Sequence, residues 1–445
     1  MKKLLFIIIT IILIALTREV NERLPYNYNF QPDNLKNNFR QEINSIVEKK
    51  EEYKYDFWLK YYKNDLQKLI LNYNEIKKIN KNIQQHRNID ITRLETYTNE
   101  QFKSIIHEKI INKDCYYIIK DNLPFVNLKK LSSKNISYAI NISQKSLKSI
   151  PQTTLTTKTQ IKKSYDPFLD IGLNFAEPLA IVHYTNDGKW AFVLTKTGSG
   201  WVRVNNIAFV NKETFMQYIN IDKSDFVIVT QRLLLLFKFK TIRTGTKLLL
   251  KKEDNNYFYI NFPSRDKYGK LKYSNFKIRK FTLFKKEKNT KINKGFLLYK
   301  EKNLLRQIFK YKNMKYGWGT TYEGRDCDGY MISRIFSVFG FDLPQKSFKL
   351  QESSTNFKLN ETTNKEELNK LLDSLKLGDL IYVKDYALVY IGKYNNEHYV
   401  LHAMDFSVKK GKEYNKMKIV VDTLNRKRRN GKKAKDTIVS ITSLR

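Results

Sequence analysis

The segment YGWGTTYEGRDCDGYMISRIFSVFGFDL, Tyr316 to Leu343, decides how this chain is read. Its first half is rich in glycine and polar residues and predicts turns. Tyr330, Ile332, Ile335, Phe336, Val338 and Phe339 then recur at the spacing of a helix with one buried face. Cys327 stands where the turn-rich part gives way to that run. A cysteine in the first turn of a helix lies near the positive end of the helix dipole. That position favours the thiolate, which is the nucleophilic form. The second reading is a small buried hydrophobe with no chemistry. The chain holds one other cysteine, Cys115, in KDCYYII.

Working outward, YGWG and DCDG are followed by FGFDLP, then Ser347 and Gln351. Gly378-Asp379-Leu380, Leu388-Val389-Tyr390-Ile391-Gly392 and Leu401-His402-Ala403 come next, each with a strand-like setting. In this order the motifs resemble the NlpC-type cell-wall cysteine peptidases, over about Leu304 to Leu424. The resemblance implies a papain-like fold with Cys327 as nucleophile. It also implies amide hydrolysis in the stem peptides of peptidoglycan. Tyr316 and Asp326 fall where the family grips the free amine of its substrate, and Asp326 could equally cap the helix.

Two positions depart from the family pattern. Its catalytic histidine is replaced by Tyr386, and the serine after its nucleophile by Asp328, which also borders the substrate-binding turn. A phenol with an ordinary pKa of about 10 cannot form the imidazolium partner of a thiolate at neutral pH. The charge of Asp328 raises the pKa of a neighbouring thiol. His402 occupies the position that orients the base in the family, and it could serve as the base itself. Two functions therefore stand side by side. One is a peptidoglycan endopeptidase with a degenerate base position. The other is an inactive relative that binds peptidoglycan and scaffolds or regulates a hydrolase.

The 445 residues suit two to four domains. Lys2 and Lys3 precede the apolar segment Leu4–Leu16, which has signal-peptide length and is short for a membrane span of about 20 residues. Residues 1–17 are thus a signal peptide or an N-terminal anchor. The protein is expected to be exported, periplasmic or in the cell envelope. In an exported chain two cysteines could pair; a nucleophilic Cys327 must stay free, which leaves Cys115 buried or unpaired.

The formal charge is +38, from 82 Lys+Arg against 44 Asp+Glu. Such a field attracts polyanions, here anionic wall polymers or a membrane surface. The abundance of Lys, Asn, Ile and Tyr together also fits a biased genome composition. The charge runs along the whole chain, and no nucleic-acid module is present, so no nucleic-acid partner is expected. The basic run Arg426–Lys435 reads as a hairpin loop between two strand-like segments, IVVDTL and TIVSITSL. No HExxH, CxxC or phosphate-binding GxxxxGK[ST] occurs, so neither metal nor cofactor is expected.

The expected fold class is multidomain α+β. Residues 18–145 form a helical N-terminal region. Asn34 to Lys113 contains no Gly or Pro and reads as two or three long amphipathic helices, either a packing module or a partner-binding or autoinhibitory arm. Residues 146–215 read as a bacterial SH3-like barrel, with turns at Asn186-Asp187-Gly188 and Gly198-Ser199-Gly200 and with paired Trp190 and Trp201. Residues 216–298 read as a second, weaker barrel, and residues 299–445 as the NlpC-type domain. Multi-module relatives use such barrels to restrict the cleft or to bind wall polymer, and a basic surface suits carboxylate-rich stem peptides.

Overall fold

Alternating burial and tight turns build three antiparallel sheets, shown in a computed structural model that describes residues 50–85, 90–110, 126–151, 168–235, 240–280, 291–314, 328–354, 357–359, 364–383, 386–409, 412–426 and 431–445. The chain divides into two units, Met1–Lys54 and Tyr55–Arg445. Of the first, only residues 50–54 are described: a 3-10 turn at Glu51–Tyr53, with Lys54 ion-paired to Glu51. Leu4–Leu16 and Cys115 lie outside the described residues. No helix among the described residues is long and apolar enough to cross a membrane.

The second unit begins with helices α1 (Tyr55–Tyr61), α2 (Tyr73–Gln85) and α3 (Asn99–Ile110). The helical pattern breaks at Leu69–Leu71, which extends to pair with Tyr299–Lys300.

The first sheet follows, from β1 (Ser137–Asn141), β2 (Ser146–Lys148), β3 (Leu169–Gly172), β4 (Pro178–Tyr184), β5 (Trp190–Thr195), β6 (Gly198–Arg203) and β7 (Ile207–Val210). Its order is β3-β2-β6-β5-β4-β1-β7, so it takes in a strand upstream of residue 146. Along β4 the side chains alternate between two cores. Ala180 and Val182 face Phe102 and Ile106 of α3, while Leu179 and Ile181 face Leu147 and Ile171. At the β4–β5 turn, Asp187 accepts hydrogen bonds from the Thr185 hydroxyl at 2.7 Å and the Lys189 amide at 3.0 Å, and Gly188 takes φ +65°. Trp190 and Trp201 are both core residues. Helix α4 (Lys212–Ile219), capped by Asn211, closes this part.

The second sheet comprises β8 (Phe226–Val229), β9 (Lys247–Glu253), β10 (Tyr257–Arg265), β11 (Leu271–Arg279) and β12 (Ile292–Lys294), in the order β11-β10-β9-β8-β12. A separate short pair joins Leu233–Leu235 to Lys240–Ile242.

Helices α5 (Glu301–Tyr311), α6 (Asp328–Ser337), α7 (Ser347–Ser354) and α8 (Lys365–Asp373) accompany the third sheet. Its strands are β13 (Phe357–Lys358), β14 (Leu380–Val383), β15 (Tyr386–Tyr394), β16 (Glu397–Lys409), β17 (Lys412–Thr423) and β18 (Ile438–Thr442). The order is β13-β18-β14-β15-β16-β17. The three segments read as strands around GDL, VYIG and LHA are neighbours in this sheet. Helix α6 packs on β15, α5 and α7. Tyr330, Ile332, Ile335, Phe336, Val338 and Phe339 are all buried, as their spacing predicts.

The basic run differs from expectation. Strands β17 and β18 do not pair, because β17 is the outer edge and β18 lies between β13 and β14. The run is therefore a crossover and not a hairpin loop. Its return is held by backbone bonds from Ala434 to Arg426 and from Lys435 to Leu424, both 2.9 Å. The apolar strand at Ile438–Thr442 gains two neighbours and a buried position by crossing inward.

Helix α1 is anchored on the third sheet. Trp58 is fully buried and lies over Gly392 of β15, where an added Cβ would come 2.4 Å from Trp58 Cζ3 and 2.6 Å from Tyr62 Oη. Tyr62 donates to the Ile391 carbonyl at 2.6 Å and Tyr61 to the Lys393 carbonyl at 2.8 Å. Gly392→Ala should cost about 1–3 kcal/mol through overpacking, and Trp58→Ala about 3–5 kcal/mol through the cavity left. Denaturant unfolding of the two variants measures both. A Gly392→Ala chain as stable as the wild type would show that the Trp58 contact is not close-packed.

Candidate active site

The β15–β16 hairpin positions the described part of the site. Asn395 and Asn396 take positive φ, 47° and 60°, which a two-residue hairpin turn requires. Tyr386 begins β15, and His402 lies on β16 opposite Val420 of β17. Their rings approach to 6.1 Å between centroids. Cys327, Tyr316 and Asp326 lie outside the described residues. Asp328 is the first residue of α6, and its side chain lies outside them too. Cys327 thus directly precedes α6 in the chain.

His402 is 7 % exposed. Its Nδ1 lies 3.0 Å from the carbonyl of Ala403, to which it can donate. In that tautomer Nε2 carries the lone pair. Nε2 lies 4.0 Å from Oδ2 of Asp422, a residue of β17 that stands opposite Val400. Asp422 is also ion-paired with Arg426. Burial alone would raise the Asp422 carboxyl. His402, when it donates from Nε2, and the Arg426 guanidinium outweigh it and hold the carboxyl below the usual carboxylate range. The arrangement is an imidazole beside a carboxylate that stays ionised.

Asp422 is the side chain beside His402 that the sequence motifs leave out. Its signal is weak. It is one aspartate in the strand IVVDT, and the alternation of that strand puts it on a face with Val420. Only the pairing of β17 with β16 brings it to His402.

Two other described histidines, His398 and His183, have structural partners. His398 Nδ1 lies 3.0 Å from the Tyr390 hydroxyl and Nε2 3.3 Å from Asp373, and burial lowers its pKa. It lies within β16. His183 is buried, with Nε2 2.5 Å from the Val126 carbonyl. Gln351 donates to the Ser440 hydroxyl at 2.8 Å and ties α7 to β18. Among the described residues no group of three or more His, Cys, Asp or Glu could hold a metal ion.

Comparison with known proteins bears on the whole arrangement. The family model described as SH3 domain (SH3b1 type) matches residues 163–203. No match is found among curated proteins. Among solved structures, the chain is similar to an NlpC/P60 endopeptidase from Photobacterium damselae subsp. piscicida, with TM-score 0.57 and 19 % identity, over 81 % of this chain and 88 % of that one. An NlpC/P60 family protein from Bacillus cereus matches with TM-score 0.45 and 16 % identity, over 69 % of this chain and 99 % of that one. The chain thus shares its fold with that NlpC/P60 endopeptidase, and its residues 163–203 match an SH3 domain of the SH3b1 type.

Proposed function

We propose that this chain is an exported cell-wall cysteine peptidase that hydrolyses amide bonds in peptidoglycan stem peptides, with His402 in place of the missing family histidine. The observation that carries the reading is the His402–Asp422 pair, on the sheet against which α6 packs and beside Tyr386. Cys327 is the nucleophile in this scheme. His402 takes the thiol proton at Nε2 and becomes an imidazolium, and Asp422 and the N-terminal dipole of α6 offset the separated charges. The thiolate adds to the carbonyl carbon, the C–N bond breaks, and the imidazolium returns its proton to the leaving amine. Water then hydrolyses the thioester and restores the thiol. Tyr316, Asp326 and Asp328 hold the substrate's amine in the same scheme. The positive segment Lys2–Leu16 supports export, and the SH3-type module supports delivery to the wall.

Tyr386 favours a second reading, in which the chain binds peptidoglycan and scaffolds or regulates a hydrolase. A phenol cannot replace the family's imidazole as base at neutral pH. Incubating the purified full chain with muropeptides separates the two. The first reading predicts a new amine terminus with the wild type, none with Cys327→Ala, and a rate lower by roughly 10²–10⁴-fold with His402→Ala. Wall binding by all three without any cleavage would give the second reading.

The Asp422 carboxyl yields a pH test. Its folded pKa lies below the unfolded value, so the charged form contributes stability above the unfolded pKa of about 3.9. That contribution is lost as pH falls through the folded pKa. Asp422→Asn should therefore destabilise the chain by about 1–3 kcal/mol at neutral pH, and the difference should shrink in strong acid. Unfolding curves across pH measure it, and a pH-independent difference would contradict the paired, ionised carboxylate.

A further inference from the structure

The second sheet has an outward face on which aromatic rings and cations alternate. Along β10, Phe258, Ile260 and Phe262 are buried, while Tyr257 and Tyr259 point the other way and are half-buried. The register sets Arg279 of β11 opposite Tyr257 and Lys277 opposite Tyr259, and both cations are exposed. On the other side of β10, strand β9 shifts register between Leu250 and Lys252. Lys251 reaches across β10 and donates to Asn275 of β11 at 3.0 Å, and Lys252 lies 5.0 Å from the centre of the Tyr259 ring. The irregularity thus turns two successive lysines to one face. Lys277 and Arg279 lie 4.8 and 5.5 Å from the centre of the Tyr257 ring, and the two rings are 6.3 Å apart.

The carboxylates of this sheet are engaged elsewhere. Glu253 holds Lys280 and Lys294, both at 2.5 Å, and Asp225 stands 4.0 Å from Lys294. Asp254, at the edge of the face, accepts from the amides of Asn256 and Tyr257 at 2.8 and 2.7 Å and from the Tyr259 hydroxyl at 2.7 Å. Asp266 closes the opposite turn by accepting from the amides of Tyr268 and Lys270. Among the described residues the contacts of Lys251, Lys252 and Lys277 are an amide oxygen and two rings.

We propose that this face docks a linear phosphodiester polymer of the cell envelope, a polyol or sugar chain, along Lys251, Lys252, Lys277 and Arg279. The charges are complementary, and a lysine meets a phosphate as a point charge. Lys277 and Arg279 are two residues apart, about 6.8 Å along the strand, so a chain with repeating charges meets them in succession. Each ring is flanked by a cation and by the other ring, so a nucleobase could stack only by displacing them. No aliphatic side chain stands among these six residues to enter a bilayer. The inference rests on the proposed export to the wall and not on the peptidase chemistry.

Binding of the full chain to a fluorescent poly(glycerol phosphate) oligomer, at about 0.15 M salt, tests the proposal. Lys252→Gln combined with Lys277→Gln should weaken binding by roughly tenfold. Lys129→Gln combined with Lys130→Gln removes the same charge from the exposed turn at Leu128–Lys130 and should change binding by less than about twofold. All four lysines are exposed, so both double variants should melt as the wild type does. No binding by the wild type, or an equal loss in the two double variants, would overturn the proposal. Tighter binding of oligothymidylate through Lys252 and Lys277 would assign the face to nucleic acid, and binding of phosphatidylglycerol vesicles without the oligomer would assign it to a membrane; either result would also overturn it. Muropeptide cleavage is read separately, so a chain that binds the oligomer and cleaves nothing loses the peptidase reading and keeps this one.

Discussion

Trp58 seated on the bare backbone of Gly392 is the contact on which the geometry of the third sheet depends. It joins residues more than three hundred positions apart. The ring fits only because residue 392 has no side chain, and two tyrosine hydroxyls flank it with hydrogen bonds to the same strand. Around it Phe57, Tyr61, Tyr62, Tyr394 and Tyr399 form an aromatic cluster of edge and stacked pairs. The cluster clamps the β15–β16 hairpin from outside. Since Tyr386 and His402 ride on that hairpin, the N-terminal helix is part of the support of the candidate site. Helix α2 acts in the same way further along. Asn80 donates to the Gly340 carbonyl at 2.8 Å and accepts from the Asp342 amide at 2.9 Å, which fixes the chain where it leaves α6.

Buried polar groups hold the first sheet to α6 and the segment that follows it. Arg334 of α6 reaches the Gly172 carbonyl, and Gln345 brackets the same residue by accepting from its amide at 2.8 Å and donating to its carbonyl at 3.0 Å. Asp170 of β3 takes Lys109 of α3 at 2.6 Å and Lys346 after α6. Burial would raise the Asp170 carboxyl, but the two ammonium groups outweigh it. Breaking such a pair leaves a buried charge, so these contacts favour one arrangement of the modules strongly over others.

Local pattern was legible in the sequence; partnership was not. The helix after Cys327, the strands around GDL, VYIG and LHA, and the tight turn at Asp187-Gly188 all follow from spacing and turn chemistry. Trp190 and Trp201 are core residues. The tether of α1 could not be read, because nothing near Gly392 in sequence says which ring covers it. Leu69–Leu71 looked helical by composition and became a strand through its pairing with Tyr299–Lys300. The basic run looked like a hairpin because two strand-like segments flank it, yet alternation identifies a strand without naming its neighbour. Asp422 was missed for the same reason. Its place beside His402 depends on the register of β17 against β16, a long-range property, while His402 belongs to a local motif.

The central claim is that His402, backed by Asp422, governs the reactivity of Cys327. The most direct measurement is the rate of Cys327 alkylation by iodoacetamide across pH, read by peptide mass spectrometry so that Cys115 is counted separately, in wild type and His402→Ala. The account predicts a thiolate-dependent rate at neutral pH in the wild type, falling by at least about tenfold in His402→Ala as the thiol pKa returns towards about 8.5. The same rate–pH profile in both proteins would contradict it.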